Sequence, residues 1–462
     1  MPVSTSTESD PLSEPRPVVV DEAFVDDVEV LVETGQEGHV LNLVADLRSA
    51  DLADLLSHLP PELARVLFRW LPEAETADAL PDLESSERID LLDGLTTPEL
   101  VSLIDRLDTD DQADVLADVD LSQADAVLVQ LEDSAEVEAL LSYPEDSAGG
   151  LMGVEYVAVP MTSTVAEATE AVRSTDVNRV HVVYAVDEEG RLQGVVPLKR
   201  LLLARADANV YDIATTDVVS CEPDLDQEDV ARIMERYDLV ALPVISSGGR
   251  LLGRITIDDI VDVIRDEAEE DLQRAVGITG EEELSSSVFA ISRGRLVWLL
   301  LGLVGAFVSG LVIVRFEEAL QVAPVLALFI PIVMAMAGNA GIQSSAIAVQ
   351  GLASGDLWRS DLPRRIGKEL AVALLNGAVL SIALAGIVLA AGFGDDTQRL
   401  ALVAGLALLV VIVLSTLVGA TVPLLLNRIG IDPALAMGPF ITVSNDILGL
   451  TIFFAVATVL YL

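Results

Sequence analysis

The chain has 462 residues, enough for two or three domains, and it carries a formal net charge of −47. Because residues 291–462 hold 9 acidic and 9 basic side chains, the whole acidic excess lies in the first 290 residues. A polyanion of this kind argues against a nucleic-acid partner, and the single cysteine, Cys221, excludes an internal disulfide. The composition therefore predicts an acidic aqueous half followed by an apolar membrane half.

The chain is also poor in lysine, since Lys199 and Lys368 are its only two lysines. A strongly acidic, lysine-poor surface is typical of adaptation to high salt, where screening removes most of the repulsion between like charges. Salt adaptation is therefore the alternative interpretation of every acidic cluster described below.

The region 1–142 begins with a polar tail and continues as short helices. Residues 1–19 lack both a basic start and an apolar core, so we expect a disordered tail and not a signal peptide. In 20–142, apolar residues recur three and four positions apart, and proline or aspartate-rich turns break the runs. Because each helix is too short to stand alone, this pattern predicts an all-α domain of superhelically stacked helices.

The region 143–264 contains the same small unit twice. In 143–208 a helix precedes VHVVYAVDEEGRLQGVVPL and a second helix. In 209–264 a helix precedes VALPVISSGGRLLGRITI and the helix DDIVDVIRD. A strand, a glycine-containing turn, a strand and a helix, repeated in this order, indicate a tandem α/β module.

The region 265–290 connects this pair to the membrane part. The segment 258–276 has Ile and Val at helical spacing and Asp or Glu on the other face, which predicts a long amphipathic connecting helix. Five apolar stretches follow, each near or above the length that spans a bilayer, which predicts a transmembrane domain over 291–462. They are residues 296–314, 322–352, 370–391, 400–426 and 438–462.

The basic residues of the short loops predict the orientation of these spans. They precede the first span and lie between the second and third and between the fourth and fifth, whereas the opposite loops hold only Arg315 and Arg399. The positive-inside rule predicts that the acidic half is cytoplasmic. Because the chain then crosses the cell membrane five times, the C-terminus is expected outside the cell.

The last apolar stretch, GPFITVSNDILGLTIFFAVATVLYL, contains one carboxylate, Asp446, near its middle. A charge inside a membrane costs about 3 kcal/mol or more, so such residues usually mark the path of an ion or a proton. The alternative is that Asp446 lies at the interface or pairs with a neighbouring span.

Four motifs in sequence resemble the MgtE family of magnesium channels, and the resemblance covers nearly the whole chain. YPEDSAGGLM at 143–152 resembles the junction between a helical N domain and a pair of CBS units, and ERYDLVALPV with GRLLGRITIDDIVDVI resembles the second CBS unit. MAGNAGIQSSA at 336–346 resembles the signature of the second span, and DPALAMGPFITVSNDILGL at 432–450 that of the fifth. The implied architecture is a helical N domain, a tandem CBS pair, a connecting "plug" helix and five spans.

The resemblance implies a homodimer whose Mg²⁺ pore is lined by the second and fifth spans, with the pore carboxylate at Asp446. Mg²⁺ keeps most of its waters and usually takes one or two carboxylates, which two copies of Asp446 on a dimer axis would supply. The implied pore-lining residues of the second span are Gly338, Asn339, Gly341 and Gln343. The glycines are expected to allow close approach of the backbone, and the two amides to offer neutral hydrogen-bond partners to the hydrated ion. Ordinary close packing of membrane helices is the alternative role of the glycines.

The resemblance also implies that cytoplasmic Mg²⁺ closes the pore by bridging acidic residues of the cytoplasmic domains. Without the ion these carboxylates repel one another, and with it the closed assembly is favoured by its extra affinity for Mg²⁺. The matching residues are Asp110 and Asp114 in the N domain, Asp226, Glu228, Asp238, Asp259 and Asp262 in the CBS region, Glu267, Glu270 and Asp271 on the plug helix, and Asp432 before the fifth span.

Several functional questions stay open at the level of the sequence. A CBS pair is suited to an adenine nucleotide, although nothing here resembles a Gly-rich phosphate loop. No nucleophile with a base, no paired His or Cys ligands and no Walker-type loop are found, which argues against an enzyme. Selectivity among Mg²⁺, Co²⁺, Mn²⁺ and Ca²⁺ does not follow from these motifs.

Two other functions are compatible with parts of the pattern. A secondary transporter could couple another divalent cation or solute to Na⁺ or H⁺ through Asp446, but it predicts inverted repeats, against which five unequal spans argue. A nucleotide-sensing receptor would use the membrane part only as an anchor in the lipid. The polar signatures inside two spans argue against a pure anchor.

Overall fold

The computed structural model describes residues 20–175, 177, 179–275, 278, 288–353, 362–393 and 396–462. The predicted disordered tail and most of the linker after the connecting helix lie outside these residues. The chain divides into two compact units, and the division falls between Arg265 and Asp266.

The first unit begins with ten short helices in the stretch 20–140, all of which the structure describes. Local chemistry sets the helix starts: the carboxylate of Asp21 accepts the N–H of Phe24 at 2.9 Å, and that of Glu99 accepts the N–H of Thr96 at 2.7 Å. The predicted all-α N domain is thus confirmed. Its helices are α1 (Glu22–Glu33), α2 (Glu37–Val44), α3 (Ser49–His58), α4 (Pro61–Trp70), α5 (Glu73–Ala79), α6 (Ser85–Leu92), α7 (Thr97–Ile104), α8 (Thr109–Ala117), α9 (Leu121–Leu128) and α10 (Ser134–Leu140).

The tandem α/β pair follows in the same unit. Strand β2 pairs in parallel with β1 and antiparallel with β3, and β4 pairs antiparallel with β5. Both hairpins turn at a glycine with a left-handed backbone, Gly190 (φ 77°) and Gly249 (φ 79°). The elements are β1 (Val157–Pro160), α11 (Val165–Ser174), β2 (Val182–Val186), β3 (Leu192–Pro197), α12 (Leu198–Leu203), α13 (Val210–Ile213), α14 (Gln227–Arg236), β4 (Ala241–Ile245) and β5 (Leu251–Thr256).

The strand–turn–strand repeat is confirmed, and the structure adds β1, which the sequence did not predict. In the second repeat the matching position is held by Cys221, which forms an isolated parallel bridge with Val244. The second repeat shares one continuous apolar core with the helical domain, whereas the first repeat has a core of its own. The helical domain is therefore packed on the second repeat.

The predicted amphipathic connecting helix is confirmed as α15 (Ile257–Ala275), and it crosses the division between the two units. The second unit holds the five long apolar helices that were predicted as spans. Its helices are α16 (Val288–Arg315), α17 (Glu317–Val322), α18 (Phe329–Ala353), α19 (Leu362–Ala391), α20 (Thr397–Arg428) and α21 (Pro439–Leu460), with 3₁₀ turns at Pro324–Leu328 and Pro433–Ala436.

The second predicted stretch, 322–352, is not one helix from its start. A 3₁₀ turn begins at Pro324 and α18 begins only at Phe329. Proline lacks an N–H and disfavours helical backbone in the residue before it, so Ala323 leaves the helix.

The fourth span, α20, is the central helix of the membrane unit. In its most apolar window 56 % of the residues are buried, against 11 % in the first span. It packs against α18, α19 and α21, and the aromatic side chains of Phe329, Phe453 and Phe454 complete the core. The second and fifth spans therefore keep one face each that α20 does not cover.

Candidate ion site and acidic clusters

Asp446 lies in the fifth span, two turns from the start of α21. Its side chain is half-buried in the chain as described. The preceding residue, Asn445, is completely buried, as are Ile441 and Leu450 on the same helix. Asp446 is thus on the edge of the face with which α21 packs against the bundle.

The glycines of the second-span signature are contact points between α18 and α21. A Cβ atom on Gly338 would stand 3.6 Å from Cγ2 of Thr442, which is ordinary contact. A Cβ atom on Gly341 would overlap Nδ2 of Asn445 and lie 2.9 Å from Cγ2 of Ile441. Gly341 therefore lets the Asn445 side chain reach the backbone of α18.

The amide side chains of the second-span signature lie on the exposed face of α18 and not on the face that contacts α21. Asn339 and Gln343 are exposed, and so is Gln350, which sequence reasoning did not single out. At 3.6 residues per turn the three positions lie within about 40° of one another around the helix axis. A row of amides on an otherwise apolar span is poorly suited to lipid, which offers no hydrogen-bond partner. Gln350 could have been found from the sequence, because it follows Asn339 by eleven residues, about three helical turns, and therefore lies on the same face.

We expect Gly341→Ala to impair transport strongly, because the added methyl group displaces Asn445 beside Asp446. Overpacking of this kind typically costs about 1–3 kcal/mol. Removing the obstructing side chain should relieve it, so uptake by the Gly341→Ala/Asn445→Ala pair should not fall below that of Gly341→Ala. The matched control is Gly386→Ala in α19, where a Cβ atom would meet nothing within 4 Å. Normal uptake by well-expressed Gly341→Ala would contradict this role of the contact.

An acidic cluster lies in the first unit, where α8 meets the start of α15. Asp110, Asp111 and Asp114 on α8 all interact electrostatically with Asp259 on α15. Burial and these like charges raise the pKa of Asp111 to about 7, and burial raises that of Asp114 to about 6. Burial, together with its acidic neighbours, also raises the pKa of Asp110 well above its usual range. The structure thus brings together three of the predicted residues and adds Asp111.

Glu155, which sequence reasoning missed, completes this cluster. Its carboxylate accepts the backbone N–H of Thr109 at 2.9 Å and the Thr109 hydroxyl at 3.1 Å, and so anchors the start of α8. A Cβ atom on Gly153 would lie 3.0 Å from Oδ2 of Asp110 and 3.0 Å from Oε2 of Glu155. The glycine therefore leaves free space between two carboxylates. No local pattern marks Glu155, because its partner is 46 residues away.

Without divalent cations, we expect the contact between α8 and α15 to weaken as the pH rises from about 4 to about 7. The raised pKa of Asp111 means that the docked state holds a proton where a free aspartate has lost it. This contribution is complete below about pH 4 and is lost as the pH passes the raised value. Energy transfer between dyes on Glu33→Cys and Glu189→Cys, in a Cys221→Ser background, measures the contact. Asp111→Asn should flatten the pH dependence, and an unchanged slope would contradict the assignment.

The other predicted residues of the CBS region lie apart from this cluster, and three of them pair with residues close in the chain. Asp226 caps α14 by accepting the N–H of Glu228 at 2.9 Å, and Glu228 pairs at 2.7 Å with an arginine one turn later. Asp238 has a left-handed backbone (φ 51°) in the turn after α14. Asp262 pairs with Arg265 at 3.4 Å on α15. The structure does not gather these four residues around Asp110.

The predicted residues of the connecting helix lie near its C-terminal end. Glu267, Glu270 and Asp271 are half-buried on α15. Arg274, which sequence reasoning passed over, pairs with Glu270 and, at 2.9 Å, with Asp432. Asp432 therefore contacts the connecting helix through an arginine, and its role in binding Mg²⁺ stays a prediction.

The donor chemistry fits a hydrated cation better than a chelated one. Among the described residues, no three His, Cys, Asp or Glu side chains are gathered closely enough to hold a metal ion. Mg²⁺ needs only one or two carboxylates when it keeps its waters. The paired carboxylates around Asp110 and the single Asp446 are compatible with that mode.

A small pocket lies in the tandem α/β pair. Aromatic and basic side chains line it, with Tyr156, Arg179, His181 and Arg254 among them. The buried Arg254 donates hydrogen bonds to the carbonyl oxygens of Glu155 at 2.6 Å and of Arg179 at 3.0 Å, so it fixes the pocket wall. The same Glu155 caps α8, which joins this pocket to the acidic cluster.

Comparison with known proteins agrees with the order of these parts. Residues 330–456 match a family model described as MgtE, divalent cation transporter, residues 47–146 match the MgtE intracellular N domain, and residues 148–207 and 210–266 each match a CBS domain. The chain is similar to the magnesium transporter MgtE of Thermus thermophilus, with 38 % identity over 71 % of this chain and 72 % of that protein. It is also similar to the magnesium transporter MgtE of Bacillus subtilis, with 34 % identity over 71 % of this chain and 73 % of that protein.

Among solved structures, the chain is similar to the cytosolic domain of the Mg²⁺ channel MgtE in complex with ATP. The two are 36 % identical, with 52 % of this chain and 99 % of that chain covered and a TM-score of 0.49. The curated relatives are transporters, in agreement with the expectation that the protein is not an enzyme. Their identity and coverage together show that the chain belongs to the MgtE family of magnesium transporters.

Proposed function

We propose that the protein is a channel-like transporter of the cell membrane that carries Mg²⁺ along a pore lined by the second and fifth spans. The observation that carries this proposal is the exposed row of amides on α18, next to the helix that bears Asp446. Amides and a carboxylate on the uncovered faces of two adjacent apolar spans suit a water-filled path and not lipid.

The ion at Asp446 is proposed to be hydrated Mg²⁺. Asp446 is half-buried in one protomer, which leaves part of its carboxylate available at the uncovered face. In a two-fold homodimer the same residue occurs twice at one axis, which provides the two carboxylates that a hydrated Mg²⁺ takes. The exposed apolar side chains of α16 and α19, among them Phe307 and Ile382, suit contact with membrane lipid.

Closure by internal Mg²⁺ is proposed to act at the contact between α8 and α15. Asp110, Asp111, Asp114 and Asp259 repel one another there, and burial already holds protons on some of them near neutral pH. A divalent cation replaces those protons and removes the repulsion, so it favours the docked state by its extra affinity for that state. Glu267 and Asp271, further along α15, are proposed as additional residues that bind the regulatory ion.

An adenine nucleotide is proposed for the pocket of the CBS pair. Tyr156 and His181 offer ring faces for a base, and Arg179 offers a positive charge for phosphate. By the distribution of loop arginines, the domains that hold this pocket and the acidic cluster face the cytoplasm, with the C-terminus outside.

Downhill flux in proteoliposomes tests the transport proposal directly. We expect Mg²⁺ to enter protein-containing vesicles without any Na⁺ or pH gradient, as followed by a Mg²⁺-sensitive dye inside. Co²⁺, Mn²⁺ and Ca²⁺ added outside then rank the selectivity by competition. Uptake that occurs only with an imposed Na⁺ or H⁺ gradient would favour the alternative, an ion- or proton-coupled secondary transporter.

A further inference from the structure

Arg274, in the last turn of α15, contacts two residues that were predicted to bind Mg²⁺. Its guanidinium pairs with Glu270, one turn earlier on the same helix, and Nη1 donates a hydrogen bond of 2.9 Å to Oδ2 of Asp432. Asp432 is 158 residues further along the chain. The arginine thus joins the connecting helix to the segment just before the helix that carries Asp446.

Asp432 is itself part of the entry to the fifth span. Its other oxygen, Oδ1, accepts the N–H of Ala434 at 2.7 Å and caps the 3₁₀ turn Pro433–Ala436. After this turn, α21 begins at Pro439. One carboxylate therefore connects Arg274, through the capped turn, to the start of the pore-lining helix.

The electrostatics of this contact need a positive charge. Two carboxylates, Glu270 and Asp432, approach the same point from different segments, and without a cation they would repel each other. The guanidinium of Arg274 supplies that cation. The side chains of Arg274 and Asp432 are 35 % and 32 % exposed, so dissolved salt reaches and screens the pair.

We propose that Arg274 is a positioning residue that takes the place of a divalent cation between Glu270 and Asp432. The contact between the connecting helix and the start of α21 then forms without Mg²⁺. Mg²⁺ regulation is left to the contact between α8 and α15, because an ion could bind at Asp432 only by displacing the guanidinium. The inference rests on the proposed function in one respect: α21 is taken to line the pore.

Hydrogen exchange of the full-length protein tests this inference without any transport measurement. The reporters are the backbone amides of Ala434, which bonds to Asp432, and of Met437, which bonds to Ala434. In the wild type we expect the same exchange rates in a chelator and in millimolar Mg²⁺. In Arg274→Gln we expect exchange in the chelator to be about two- to fivefold faster, the range for a partly exposed ion pair, and millimolar Mg²⁺ to restore it.

Three variants separate the ion pair from other effects. Arg274→Lys keeps the positive charge and should keep the protection. Asp432→Asn keeps an oxygen that can cap Ala434 but loses the charge, so combining it with Arg274→Gln should add nothing to either single change. The matched control is Arg173→Gln, which removes an exposed arginine from a surface pair on α11 and should leave both amides unchanged.

The inference is overturned if the wild-type protection itself requires Mg²⁺, or if Arg274→Gln in the chelator exchanges like the wild type. It is also overturned if Arg274→Lys loses as much protection as Arg274→Gln, or if the double variant loses the product of both single effects. Failure of the proposed function has a different signature. In that case the wild type does not take up Mg²⁺ into vesicles, whatever the exchange rates are.

Discussion

Asp446→Asn is expected to abolish Mg²⁺ uptake while the protein stays folded. The change preserves the size of the side chain and removes the only charge in the part of the fifth span that the structure describes. A hydrogen bond to a charged group contributes about 1.5–3 kcal/mol, so its loss lowers occupancy of the ion site by about ten- to a hundredfold. In a dimer the loss occurs twice. Uptake into proteoliposomes, normalised to the amount of reconstituted protein, measures the effect.

Stability and a matched carboxylate provide the controls for this experiment. Removing a charge from the interior of a span relieves a desolvation cost, so the melting temperature in detergent should stay the same or rise. Glu318→Gln neutralises an exposed carboxylate on the short helix α17 and should transport normally. Near wild-type uptake by Asp446→Asn would remove Asp446 from the ion path.

Millimolar Mg²⁺ is expected to protect the junction at 143–150 from proteolysis far more than monovalent salt at the same ionic strength. A cation that binds only the docked state stabilises it by about 2.7 kcal/mol at a hundredfold excess over its Kd, which lowers the open population about a hundredfold. Cleavage follows that population when opening is fast. A time course of cleavage in Mg²⁺ and in Na⁺ measures the difference.

The variant for this experiment is Asp110→Asn combined with Asp259→Asn, which removes two charges from the cluster. Asp259 accepts the N–H and the hydroxyl of Thr256 at 3.1 Å and 2.8 Å, and asparagine retains an oxygen for these contacts. The variant should lose the Mg²⁺-specific protection. The exposed pair Glu33→Gln and Glu188→Gln removes equal charge elsewhere and should keep it. Equal protection of the wild type by Mg²⁺ and Na⁺ would identify the cluster as a salt-adapted surface.

Features with a local cause could be predicted from the sequence. The capped helices of the N domain, the glycine turns at Gly190 and Gly249 and the five apolar spans each depend on residues close in the chain. The four-residue strand β1 could not be predicted, because its pairing with β2 depends on residues more than twenty positions away. Pro324 could have indicated a break in the helix, but the residues on both sides of it are apolar and were therefore assigned to one span.

The candidate site shows the same division. Asp446 stands out because a carboxylate in an apolar stretch is a local anomaly. The contact of Gly341 with Asn445 joins two spans that are more than one hundred residues apart. No pattern within either span predicts this contact. Arg274 was passed over, since its partner Asp432 is 158 residues away in the sequence. Long-range pairs of charges are invisible until the fold brings them together.

The central place of α20 has a consequence for how the protein is made. During synthesis α18 and α19 leave the ribosome before the helix against which both pack, and their apolar faces stay without that neighbour until 397–428 has been inserted. The first helix of the acidic half begins at Glu22 and this half is complete by Arg265, so it can fold in water well before α20 has been inserted. A nascent chain cut short in the loop after α19 would carry a finished cytoplasmic unit on three loosely associated helices. Incompletely packed chains are removed by cellular proteases, so insertion of the fourth span is expected to stabilise the membrane unit.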